Sequence, residues 1–208
     1  MLSRFDNIVF DLGGVVFEID RESCVERLDS LGLPGAASLL DLYCQKGDFL
    51  ALEEGRLTLA EFYDILRSKC INRAVTDKDF EETLNSFITH LPVGRLQAIR
   101  KLREMGKRTY VLSNTNPLMY NSVIAQLFRQ ESLTINDYFD GIVLSFQEQV
   151  CKPDPEIFHR LINRYHLDGK RTLFIDDSAH NVEAARACGI EAYHLPENAE
   201  FIDVLKLR

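Results

Sequence analysis

The chain has no lysine- or arginine-rich block, and its 24 basic residues are outnumbered by 32 acidic ones, leaving a formal charge of −8. A nucleic-acid surface needs clustered positive charge, so the composition points instead to a small-molecule ligand. It does not exclude a phosphorylated one, because a bound cation reverses the local field. No stretch approaches the ~18 apolar residues that a membrane span needs, and no basic region followed by a long apolar segment opens the chain. The expectation is a cytoplasmic protein without a membrane partner; oligomeric state is not readable. Five cysteines (Cys24, Cys44, Cys70, Cys151 and Cys188) include no CxxC pair, which fits reduced core thiols better than disulfides or a zinc site. His90, His159, His166, His180 and His194 show no ligand spacing; His180 alone falls near the acidic pair at 176–177. There is no internal repeat, low-complexity segment or flexible linker. Hydrophobic residues are plentiful at 46% of 208 positions, enough for one large or two modest domains.

The organising stretch is Asn7-Ile8-Val9-Phe10-Asp11-Leu12-Gly13-Gly14-Val15-Val16. Ile8, Val9 and Phe10 form a short unbroken apolar run, the pattern of a strand buried on both faces. Asp11 then stands at its C-terminal edge, where open parallel sheets bind ligands. Two glycines follow and permit a tight bend or close approach to a ligand. Taken alone, the stretch is equally a capped turn.

From Asp20 to His90 the pattern is helical. Asp20 is placed to cap a helix through Leu31, which Gly32, Pro34 and Gly35 break. Leu39, Leu40 and Tyr43 continue at helical spacing. Thr58-x-x-Glu61 is a capping box opening a helix with Leu59, Phe62, Ile65 and Leu66 on one face. Thr76 begins another, with Phe80, Leu84, Phe87 and Ile88 as its periodic positions, and no strand is expected in this segment. From Pro92 strands and helices alternate: a helix with Leu96, Ile99, Leu102 and Met105; a strand over 108–112 ending in Ser113-Asn114-Thr115-Asn116; a helix around 118–128; a strand over 142–145; a helix opened by Cys151-Lys152-Pro153-Asp154-Pro155; a strand over 172–175 ending in Asp176-Asp177-Ser178; an Ala-rich helix to Cys188; and a strand over 191–193. Such alternation indicates an α/β protein with a parallel sheet covered on both faces.

In a parallel sheet these strand ends point to one side, so Asp11, Ser113-Asn114 and Asp176-Asp177 converge, with Lys152 nearby. Singly, Ser113-Asn114 reads as a helix cap and Lys152 as a solvated charge. Adjacent acids after a buried strand, however, repel each other unless a cation or donors compensate. The set suits phosphoryl transfer through an enzyme carboxylate. Asp11 would attack phosphorus; Asp11, the Gly13 carbonyl and Asp177, supported by Asp176, would hold Mg2+. Ser113 and the Asn114 amide would bind phosphoryl oxygens while Lys152 neutralises charge on Asp11 and the phosphate.

The residues Val9-Phe10-Asp11-Leu12-Gly13-Gly14-Val15, Leu112-Ser113-Asn114, Lys152-Pro153-Asp154-Pro155 and Phe174-Ile175-Asp176-Asp177 resemble, in order and spacing, the four motifs of the haloacid dehalogenase (HAD) superfamily. The match spans about residues 7–189. It implies a Rossmann-like three-layer core over 1–16 and 92–208, and an inserted helical C1-type cap over 17–91. The Asp-Leu-Gly-Gly-Val start and the Ser-Asn-Thr-Asn segment look most like the sugar-phosphatase branch that includes α-glucose-1-phosphate phosphatase-like proteins. The resemblance implies a Mg2+-dependent phosphatase acting on a small phosphorylated metabolite through an aspartyl phosphate on Asp11. Asp11 and Lys152 would be catalytic; Leu12, Ser113, Asn114 and Lys152 would bind substrate or phosphate; Asp11, Gly13, Asp176 and Asp177 would hold metal.

One departure stands out. Phosphatases of the superfamily carry a second Asp two residues after the nucleophile as general acid and base, and here that position is Gly13. Glu18, Asp20 or a metal-bound water would have to take over, or the leaving group must be good; Asp20 also reads as a plain N-cap. Three alternatives stay open at this point: a 2-haloacid dehalogenase, against which the acid pair counts, a binding protein on the same fold, and a β-phosphoglucomutase-like transferase. Substrate selection falls to the cap, with Phe17, Gly47-Asp48-Phe49-Leu50 and Glu53-Glu54-Gly55-Arg56 as candidates. Two hinge crossings, near Phe17 and Leu91, predict that the cap opens and closes.

Overall fold

The computed structural model describes residues 2–41 and 45–207. Its strands are β1 (Asn7–Phe10), β2 (Glu18–Ile19), β3 (Ile88–His90), β4 (Arg108–Ser113), β5 (Gly141–Leu144), β6 (Thr172–Asp176) and β7 (Glu191–His194). Five of them form a parallel sheet in the order β5-β4-β1-β6-β7, with β1 at its centre. All four β1 residues are buried, as an unbroken apolar run between two helical layers requires. Alternation along the strand divides the core. Val9 points with Leu112 and Phe174 toward the helices Pro155–Tyr165 and Ala179–Ala187, against Phe158, Leu161 and Ala185. Ile8 and Phe10 point the other way, toward Leu96 and Ile99 of the helix Val93–Glu104. Phe10 packs edge-to-face on Phe201 with centroids 5.0 Å apart. The result is the expected three-layer α/β sandwich. The register pairs Phe10 with both Val111 and Ile175, so the residues just beyond these strands emerge side by side.

Between β1 and β4 the chain is mostly helical. Asp20 caps the helix Arg21–Ser30, its carboxylate accepting from the Ser23 N–H at 2.9 Å and hydroxyl at 2.6 Å. Thr58 and Thr76 open Leu59–Lys69 and Asp77–Asn85 with full capping boxes. Three expectations need correction. The helix from Thr76 ends at Asn85, so Phe87 and Ile88 are not on it; Ile88 starts β3, which pairs antiparallel with β2 through Glu18↔His90 and Ile19↔Ile88. Phe80, Leu84, Phe87 and Ile88 keep helical spacing on both sides of the break, and only the ribbon between the two crossings reveals the strand. The segment after Gly35 makes one turn, Ala36–Leu39, and Leu40 is already extended; Tyr43 lies outside the described residues, as does Cys44. Around 118–128 the helix is composite, Pro117–Met119 and Ala125–Leu127 flanking a π-helical turn at Tyr120–Ile124. The one-turn helices Ile135–Tyr138, Ser145–Glu148 and Phe201–Val204 were not expected, because a single turn holds too few positions to show a period.

Cys24, Cys70 and Cys151 are buried free thiols and Cys188 is a partly exposed one. Among the described residues no helix is long and apolar enough to cross a membrane.

Candidate active site

The C-terminal ends of β1, β4 and β6 bring the predicted polar residues to one place. Lys152 is buried at the centre, its Nζ 2.9 Å from Asp11 Oδ1 and 2.7 Å from Asp176 Oδ2. Its backbone is held from both sides by the Asn114 side chain, which donates to the Lys152 carbonyl at 2.9 Å and accepts the Lys152 N–H at 2.8 Å. Asp11 Oδ1 also accepts the Leu12 N–H at 2.7 Å, which fixes the carboxylate's rotation. Leu12 therefore meets the site through its backbone; its side chain is fully buried.

Asp176 is saturated. Oδ1 accepts from the Ser178 N–H at 2.8 Å and from Asn181 Nδ2 at 3.0 Å; Oδ2 takes Lys152 at 2.7 Å and Asn181 Nδ2 again at 3.2 Å. Asn181 was not singled out in the sequence. Its signal is the offset Asp176-Asp177-Ser178-x-x-Asn181, which puts an amide one helical turn past the acids. Among the described residues no other side chain donates to the Asp177 carboxylate, which lies against its own backbone N–H; its backbone carbonyl lies 3.0 Å from His194 Nε2, another contact the sequence did not suggest. His180 is exposed.

One ligand atom from each of Asp11, Asp176 and Asp177 lies within 4.8 Å of the others. Three carboxylates thus surround one ammonium. Burial pushes the Asp11 carboxyl up from the ordinary range; Lys152 opposes this, and the charges of Asp176 and Asp177 push it further. Burial and the Asp176 charge likewise raise Asp177. Burial disfavours the Lys152 ammonium, but Asp11 and Asp176 outweigh it and hold its pKa above the ordinary value. The excess negative charge and the hard oxygen donors fit a small divalent cation.

A pocket opens onto this cluster, with Asp11, Gly13, Ser113, Asn114, Lys152 and Asp177 on its floor. Residues from the 17–91 segment close it, among them Phe17, Phe49 and Glu53. The remaining specificity candidates are engaged elsewhere: Arg56 pairs with Glu54 at 2.6 Å, and Asp48 with Lys69. Glu18 and Asp20 line an adjoining groove beside Arg95 and Glu200, which meets the pocket at Phe17, Ile19 and Asp177. Arg95, itself buried, grips Glu200 with Nε at 3.0 Å and Nη2 at 2.7 Å and reaches the Val16 carbonyl at 3.4 Å. That places a half-buried ion pair at the first chain crossing.

The chain belongs to the haloacid dehalogenase-like hydrolases, whose family model matches residues 5–189. It is 38% identical over 192 residues to D-ribitol-5-phosphate phosphatase of Bacteroides thetaiotaomicron, covering 92% of each chain. Among solved structures it resembles a mutant HAD-family enzyme of B. thetaiotaomicron in complex with magnesium and inorganic phosphate, with a TM-score of 0.91 and 33% identity over 96% of this chain and 98% of that one. A predicted HAD-like family hydrolase from Porphyromonas gingivalis aligns with a TM-score of 0.89 and 30% identity, over 98% and 97% of the two chains.

Proposed function

We propose that this protein is a Mg2+-dependent phosphatase that releases inorganic phosphate from a small phosphorylated polyol or sugar, with Asp11 as the nucleophile. The observation that carries the reading is the floor of the pocket, where Asp11 and Asp176 share the buried Lys152 and Asp177 stands within 4.8 Å of both. Asp11 and Asp177, with the Gly13 carbonyl, are the residues that would hold Mg2+. Asp176, its oxygens taken by four donor contacts, supports the site by fixing Lys152. When bound, the cation screens the charge between a carboxylate and the phosphate approaching it. Ser113 and the Asn114 N–H bind phosphoryl oxygens, and Lys152 neutralises charge on Asp11. Asp11 forms a bond to phosphorus as the bond to the substrate oxygen breaks, and water then cleaves the acyl phosphate to return the carboxylate and inorganic phosphate. An excess of carboxylates around Lys152 speaks against a dehalogenase, which has no cation to balance them. In this reading 1–16 and 92–208 form the catalytic core and 17–91 the cap, supported by the β2–β3 ribbon at the two crossings.

Assaying phosphate release from D-ribitol 5-phosphate and a panel of sugar and polyol phosphates tests this. Turnover is expected with Mg2+, is lost with EDTA and returns on adding Mg2+; no release from any member overturns the reading. Gly14 gives a second check. It adopts φ +68°, and a Cβ there would overlap Asp177 Oδ2. Gly14→Ala is expected to cost about 1–3 kcal/mol in denaturant unfolding and, by displacing Asp177, to weaken Mg2+ binding in calorimetry by ~10–100-fold.

A further inference from the structure

An alkyl phosphate leaves as an alcohol only if its oxygen receives a proton, and the donor must lie beside the reacting atoms and be free to give the proton up. Most acids near the site fail one of these conditions. Asp176 is saturated and bound to Lys152. Asp20 is committed to the Ser23 cap, and Glu18, 53% exposed with Arg95 at 3.9 Å, lines the adjoining groove and not the pocket over Asp11 and Lys152. Gly13 has no side chain to offer.

Resting on the phosphatase reading above, we propose that Glu53 is the catalytic acid that protonates the leaving oxygen. Glu53 ends the helix Gly47–Glu53 and lines the pocket that Asp11, Ser113 and Lys152 floor. Among the described residues no hydrogen bond or ion pair holds its carboxyl. The turn that follows seats it there. Gly55, at φ +62°, comes so close to the Phe146 carbonyl that a Cβ would overlap it, locking the end of this helix against the one-turn helix Ser145–Glu148 after β5. Phe49, one turn earlier, packs edge-to-face on Phe62 at 4.9 Å. Burial, then the charge of Asp11, outweighs the nearby Lys152 and, with Glu54 adding to the rise, pushes the Glu53 carboxyl up to about 8. Burial of a carboxyl without a partner favours its protonated form, the form a general acid needs. In the step itself the Glu53 O–H bond breaks as the P–O bond breaks. The proton goes to the departing oxygen, which keeps the P–O electron pair, and Glu53 is left as a carboxylate. It recovers its proton from the water that attacks the acyl phosphate.

The test compares wild type and Glu53→Gln, both with Mg2+, on D-ribitol 5-phosphate and on p-nitrophenyl phosphate, whose leaving group needs no proton. The expected loss of kcat on the alkyl ester is ~10²-fold or more, at least ~10-fold greater than on the aryl ester. Residual aryl turnover shows that the variant is folded. Infrared spectra of the Mg2+-loaded protein at neutral pH are expected to show a protonated-carboxyl band that Glu53→Gln removes. Equal losses on the two esters, no loss on the alkyl ester, a wild type that cleaves only the aryl ester, or no such band overturns the assignment. A wild type inert toward both esters and toward every sugar and polyol phosphate of the panel overturns the phosphatase reading instead.

Discussion

Asp11→Asn is expected to lower kcat for phosphate release on the order of 10⁴–10⁶-fold, the scale of removing an enzyme's nucleophile. The amide keeps the shape of the carboxylate but not its nucleophilic oxygen, and it still accepts the Leu12 N–H. Folding should survive the change. Burial and the neighbouring acids raise the Asp11 pKa in the native state above the ordinary carboxylate value. A group with a raised folded pKa binds more protons when folded, so the stability of metal-free protein falls as pH rises from the ordinary carboxylate range toward neutrality. Asp11→Asn removes part of that fall. Thermal unfolding of the metal-free wild type and variant between about pH 5 and 8 is expected to show the shallower slope in the variant. A variant that releases phosphate at near wild-type rates would remove Asp11 from the chemistry.

Lys152→Met is expected to be the most destabilising single change in the site. Lys152 is the one cation between two carboxylates, fully buried and 5.4 Å from the Phe174 ring. Removing one partner of a buried pair costs about 3–5 kcal/mol, because the remaining charge stays desolvated. At ~2–4 °C per kcal/mol for a chain of this size, Tm drops by roughly 6–20 °C. The sign of the pH dependence separates this from simple loss of packing. Without Lys152 the burial and neighbouring acids that raise the Asp11 carboxyl act unopposed, so the variant recovers stability as pH falls and Asp11 becomes protonated. The gap to wild type should therefore narrow at acid pH in urea unfolding. A gap that stays constant with pH would mean that lost contacts, not unpaired charge, carry the cost.

Legibility in the sequence varied with how local the cause was. The strand before Asp11 was readable because three adjacent apolar residues leave few alternatives, and the helices after Asp20, Thr58 and Thr76 because their caps act within one turn. The β2–β3 ribbon was not, since its pairing joins residues far apart in the chain and its two strands are too short to show a period. Convergence of Asp11, Ser113, Asn114, Lys152 and Asp177 followed from the direction of a parallel sheet. The role of Asn181 did not, because its offset from Asp176 becomes a signal only once Asp176 is known to need donors.

The sequence by itself determined the order along the chain of the parallel sheet's strands, the family, and which carboxylates meet, because each depends on local pattern and on chain direction in a parallel sheet. Tertiary structure alone decided how those charges are shared. It gave Asp176 to Lys152 and Asn181 and, among the described residues, left the Asp177 carboxylate without a side-chain donor. It set Glu18 and Asp20 in the adjoining groove and brought Glu53 to the pocket wall, since contacts between segments distant in sequence depend on packing, which no local pattern encodes.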